Sequence, residues 1–120
     1  MFTRDSREPR LDTLIGKAVR VNGDVEFQGG LHLDGHIAGG VRAPGAAGAT
    51  LSVSQTGSIE GPVNVPNVVL DGSIKGDIHA SERVVLGATA RVEGNVYYGI
   101  IEMTLGAQII GKLVRLTPGE

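Results

Sequence analysis

The sequence predicts an all-β fold, a single-domain parallel β-helix (β-solenoid) of about six short triangular coils, and three observations carry that prediction. A five-residue unit, apolar-x-Gly-x-apolar, recurs along the chain. Corresponding glycines follow one another about every 17 residues. Between them apolar and polar residues alternate over short stretches, as in Val19-Arg20-Val21 and Leu31-His32-Leu33, which is the signature of half-buried strands.

Composition sets the bounds. A length of 120 residues leaves room for one small core, and with 41% hydrophobic but only 3% aromatic residues that core is aliphatic. The 19 glycines lack the triplet period of collagen, so they punctuate the chain rather than fill it. A net charge of −2 without a basic stripe argues against a nucleic-acid surface. The absence of cysteine excludes disulfides and thiolate metal sites. The apolar runs are short and the first residues lack the apolar region of a signal peptide, so a cytoplasmic chain is expected.

Taken in order, residues 1–13 are a charged segment with Pro9, expected to be a disordered tail, and the solenoid runs over residues 14–116. The first coil carries Val21-Asn22-Gly23-Asp24-Val25 and the second Leu33-Asp34-Gly35-His36-Ile37. The small-residue, Pro/Gly-broken stretch Ala43 to Ala49 reads as a loop inserted between two strands. Beyond it come Ile59-Glu60-Gly61-Pro62-Val63, then Leu70-Asp71-Gly72-Ser73-Ile74 running into Ile74-Lys75-Gly76-Asp77-Ile78. Val92-Glu93-Gly94-Asn95-Val96 and Ile109-Ile110-Gly111-Lys112-Leu113 complete the series, and residues 117–120 form a C-terminal tail. The stretch from Gly16 to Gly23 matches the stretch from Gly87 to Gly94, and Gly57 to Gly61 shares Gly-Ser-Ile-x-Gly with Gly72 to Gly76. Anchored on Gly23, Gly39, Gly61, Gly76, Gly94 and Gly111, the differences in sequence number are 16, 22, 15, 18 and 17, and the one long step contains the inserted loop.

A period of about 17 residues at about 3.3 Å each makes a perimeter of roughly 55 Å, enough for three short strands meeting at glycine corners. Six such coils stacked at about 4.8 Å form a rod of roughly 30 Å with Val, Ile and Leu inside. A helical reading would place glycine throughout helix interiors at about 1 kcal/mol each, and is rejected.

A solenoid exposes unpaired backbone groups and an open aliphatic layer at each end unless a cap covers them, and the polar segments at the two ends of this sequence offer no convincing cap. The first coil is expected to present Leu14, Ile15, Val19, Val21, Val25 and Phe27, and the last Ile101, Met103, Leu105, Ile109, Leu113 and Leu116. End-to-end self-assembly follows, because stacking pairs the backbone and buries apolar area at about 25 cal/mol per Å². The competing expectation is that the tails fold back as caps on a monomer.

The chain also resembles a known family, the bactofilins, bacterial cytoskeletal proteins, over about Leu14 to Val114. The resemblance rests on Leu14-Ile15-Gly16-Lys17, on the stretch from Gly23 to Leu31, on Gly76-Asp77-Ile78-His79-Ala80, and on Gly94-Asn95-Val96-Tyr97-Tyr98 followed by Glu102-Met103. It implies a right-handed β-helix between disordered tails that polymerises without nucleotide into filaments, often apolar ones joined head to head and tail to tail. It further implies a role in cell shape or localised cell-wall synthesis, with peptidoglycan hydrolases or synthases as partners. Met1-Phe2-Thr3-Arg4 is similar to the membrane-targeting start of some members, which implies attachment to the cytoplasmic membrane face through Met1, Phe2 and Arg4. One buried Phe2 contributes only about 2 kcal/mol. A filament presenting many copies converts that into stable attachment; a start without that role is the alternative.

No catalytic, cofactor or metal site is expected. His32, His36 and His79 lack a second ligand at metal-binding spacing, and no phosphate-binding loop of the G-x-x-x-x-G-K-[ST] type is present. Asp24, Asp77 and Asn95 share the slot after a repeat glycine and read as turn residues that keep the rod soluble. In the pair Tyr97-Tyr98 one ring is expected to face in and the other out. Two rival functions remain. A left-handed β-helix acyltransferase would need a regular six-residue step and a histidine in its extruded loop. A monomeric binding solenoid would need a flat ladder of Thr or aromatic residues.

Overall fold

Glycine corners and short alternating runs can close only as a coil, and that is what the chain forms. A computed structural model describes residues 13–43 and 48–116. Within them the backbone winds through six coils of three sides each, all strands pairing in parallel. The first coil comprises β1 (Thr13–Ile15), β2 (Arg20–Asn22) and β3 (Val25–Glu26), and the second β4 (Gly30–Leu33), β5 (His36–Ala38) and β6 (Val41–Arg42). The third holds β7 (Thr50–Val53), β8 (Ser58–Glu60) and β9 (Val63–Asn64). The fourth begins with β10 (Asn67–Leu70) and β11 (Ser73–Lys75). The last coils share longer strands: β12 (Ile78–Leu86) joins the fourth to the fifth, which continues through β13 (Arg91–Glu93), and β14 (Val96–Met103) joins the fifth to the sixth, which ends with β15 (Gln108–Ile110) and β16 (Leu113–Arg115). One side stacks β1, β4, β7, β10 and the second halves of β12 and β14; a second stacks β2, β5, β8, β11, β13 and β15; the third stacks β3, β6, β9, the first halves of β12 and β14, and β16.

Alternation along each strand sorts side chains strictly. Leu31, Leu51, Val68 and Val84 are in register, as are Leu33, Val53, Leu70 and Leu86, and Ile37, Ile59, Ile74 and Val92, all essentially inaccessible to solvent. No polar or charged residue is buried among the described residues. The core is therefore an aliphatic column.

The six anchor glycines lie one above another. At Gly76 φ is +152°, and a Cβ would sit 2.3 Å from the carbonyl oxygen of Gly61 in the coil before, so both the backbone and the space demand glycine. The slot after this corner carries a ladder. Asp24 accepts a hydrogen bond from the Gly40 N–H (2.8 Å), Asp77 from that of Asn95 (2.9 Å), and the Asn95 side-chain oxygen from that of Lys112 (3.1 Å). The ladder breaks at Gly40, which has no side chain, and the next residue in the slot is Pro62, which has no N–H to satisfy. Beyond the turn role read from the sequence, these side chains thus tie consecutive coils together.

A second corner holds turns of two lengths. Four coils use a four-residue turn closed by an i to i+3 hydrogen bond, at Gly16 to Val19, Ser54 to Gly57, Gly87 to Ala90 and Thr104 to Ala107. The hydroxyls of Thr56 and Thr89 donate to the carbonyls of Asp34 and Asp71 in the shorter turns below. The third corner is absorbed in β12 by an irregularity between Ala80 and Arg83, where Glu82 and Arg83 both donate to the Pro66 carbonyl (2.9 and 3.0 Å). Of the expected inserted loop, Ala43 and Ala49 are buried in the core, and residues 44–47 lie outside the described residues.

Candidate assembly surfaces at the two ends

Among the described residues each end of the rod is an open strand edge, and the tail caps of the competing expectation lie outside those residues. At one, β1, β2 and β3 pair only with the second coil; at the other, the last residues of β14, with β15 and β16, pair only with the fifth. Unpaired N–H and C=O groups at such edges are a template for another chain.

At the first coil, register places Ile15 over Leu33, Val21 over Ile37 and Val25 over Val41, all pointing inward, while the Phe27 N–H donates to the Arg42 carbonyl. Ile15 and Phe27 are already nearly covered by the chain itself; Val21 and Val25 are half-buried and Val19, at the end of the corner turn, is exposed. Leu14 pairs with His32 and shares its outward phase, so it lies on the side of the rod rather than in the open layer.

At the last coil, Ile101 follows Val84, Met103 follows Leu86, Ile109 follows Val92 and Leu113 follows Val96, which makes all four inward residues of an open layer. Ile101 and Ile109 pack against the core, Met103 and Leu113 stand about half exposed, and Leu116 donates its N–H to the Tyr98 carbonyl. Leu105 lies outside the open layer. It occupies the second position of the corner turn, in the slot of Lys17, Gln55 and Ala88, and is 95% exposed on the rim. Sequence reading missed three further exposed apolar residues of this coil, Ile100, Ile110 and Val114, all in outward phase. Ile110 is adjacent to Ile109, and alternation between two isoleucines does not reveal which faces in.

Away from these residues the sides of the rod carry polar pairs. Arg42 pairs with Glu26, Arg83 with Glu102 (2.7 Å) and His32 with Asp34 (3.0 Å). A hydrogen bond from the Ser54 hydroxyl holds the Asp34 carboxyl below its ordinary range, opposed by some desolvation and reinforced by His32 and Lys17. His36 meets the Ser58 hydroxyl, and the His79 ring stacks on Tyr97 (4.3 Å, 12°) while Tyr98 packs inward, as alternation requires. Among the described residues no group of three or more His, Cys, Asp or Glu could hold a metal ion, and no helix is long and apolar enough to cross a membrane. Met1, Phe2 and Arg4 lie outside the described residues.

Among the described residues the chain is a parallel solenoid, a structural repeat fold whose aliphatic column is uncovered at its two terminal coils. The family model of the bactofilins, described as polymer-forming cytoskeletal, matches residues 13–114, and the chain belongs to that family. It is similar to Bactofilin BacO of Myxococcus xanthus, 26% identical over 102 residues that cover 85% of this chain and 78% of that protein. No solved structure gives a significant match. The chain is therefore a cytoskeletal protein, and membership in a structural family sets aside the acyltransferase reading.

Proposed function

We propose that the chain polymerises end to end, without nucleotide, into filaments that serve as a membrane-associated scaffold for cell shape or localised cell-wall synthesis. The observation that supports this most is the aliphatic layer left open at each end of the described residues, bounded by strand edges unpaired among them. Joining two ends completes both at once. Head-to-head and tail-to-tail joints are isologous and leave a filament without polarity. Attachment to the membrane face would run through Met1, Phe2 and Arg4, and cell-wall hydrolases or synthases would be the clients.

Leu113→Arg tests the joint. In the free chain the new side chain can reach water from the open layer, so strand content by circular dichroism stays intact; in a joint it would be an unpaired buried charge. The expected result is loss of pelletable polymer. Vesicle flotation of the full chain against Phe2→Ser tests attachment, with the variant expected to stay in the soluble fraction while still assembling.

A further inference from the structure

The exposed large apolar residues are distributed unevenly: Leu14 and Val19 belong to the first coil, while Ile100, Met103, Leu105, Ile110, Leu113 and Val114 all belong to the last. Met103 and Leu113 point inward and are exposed only because the column ends there. The other four are different. Ile110 is 57% exposed in the outward row of Asn22, Ala38, Glu60, Lys75 and Glu93. Val114, 37% exposed, stands in the outward row of Glu26, Arg42, Asn64, His79 and Tyr97. Ile100 follows Thr50, Asn67 and Arg83, and Leu105 follows Lys17, Gln55 and Ala88. On each of three sides and at one corner, the last coil turns an apolar residue outward where other coils are mostly polar. Folding of the rod does not require this, since outward side chains do not enter the column.

We propose that this apolar collar makes the two joints unequal: the tail-to-tail contact between last coils of two copies of this chain is the tight one, its dimer is the soluble unit, and filaments grow through the weaker contact between first coils. The inference rests on end-to-end assembly and adds a hierarchy to it. A head-to-tail continuation would lay Ile110 beside Asn22, Val114 beside Glu26 and Leu105 beside Lys17, burying apolar groups against polar ones. A two-fold joint instead lets collar meet collar, and each residue acts twice. At the other end Ile15 and Phe27 are already covered, Leu14 and Val19 are the exposed large apolar residues, and the positions matching the collar rows and turn slot are Lys17, Asn22 and Glu26, all exposed, whose contacts water and salt screen.

The test is sedimentation velocity of the full chain over a dilution series, in a head-blocked background. Val21→Arg, with Val19→Arg as a second version should the first lose strand content, is expected to abolish filaments and leave a dimer. Adding Ile110→Lys and Val114→Arg copies residues that the same rod already carries in those rows, Lys75 and Arg42, so folding is retained. The expected result is a dimer at least ~100-fold weaker. A head-blocked chain that is monomeric throughout, or a dimer indifferent to the collar substitutions, overturns the hierarchy. Filaments formed by the head-blocked chain at the wild-type threshold overturn the end-to-end reading beneath it.

Discussion

At Gly76 a single hydrogen atom decides whether two coils can stack. A Cβ there would press on the Gly61 carbonyl in a backbone conformation that L side chains avoid, so Gly76→Ala should destabilise the rod by about 2 kcal/mol or more, measured as a lower urea midpoint at unchanged slope. The side chain of Asn95 contributes less: Asn95→Ala leaves the exposed Lys112 N–H to water and should cost about 0.5–1.5 kcal/mol. Asp34 makes stability depend on acid. Its carboxyl is lowered relative to 3.8, so the stabilisation it confers is present above that value and is lost as pH falls through the depressed one. Asp34→Asn should therefore lower the urea midpoint at pH 7, with the gap to the wild type closing as the pH falls below the ordinary carboxylate range. Corner glycines could be read from sequence because their constraint is positional and repeats. The Asp and Asn ladder was visible as a shared slot, but its hydrogen bonds run between coils and no local pattern announces them.

Among the elements, interior strands are held from both sides and terminal ones from one. Ile74 in β11 is fully buried between Ile59 and Val92, whereas Ile109 in β15 has a coil on one side only. Ile74→Ala should cost about 2–5 kcal/mol and Ile109→Ala distinctly less in the unassembled chain, a contrast that thermal unfolding checks. The five-residue unit predicted strands and corners but not which corner. Leu33-Asp34-Gly35 and Leu70-Asp71-Gly72 fit the same pattern as the anchors yet form the other corner, because glycine is demanded wherever one coil's turn packs beneath the carbonyls of another. The third corner also carries glycines, Gly29 and Gly48 at φ +81° and Gly99 inside β14, but they fall outside the copies of the five-residue unit traced in the sequence, and β12 and β14 carry the chain from one side to the next as continuous strands.

The whole molecule is a column with polar sides and apolar ends, and its function follows from what the ends require. Which apolar residues belong to the terminal coils was legible from the repeat, but not which way each faces: Leu14 lies on a side and Leu105 on a rim, because apolarity alone does not tell either from an open layer. The most direct test of end-to-end assembly is negative-stain electron microscopy of the full chain in plain buffer without nucleotide, beside sedimentation at the same concentration. Filaments of one small, constant width that disappear in Leu113→Arg are the predicted result. Discrete particles at every concentration, or filaments that persist unchanged in that variant, would contradict it.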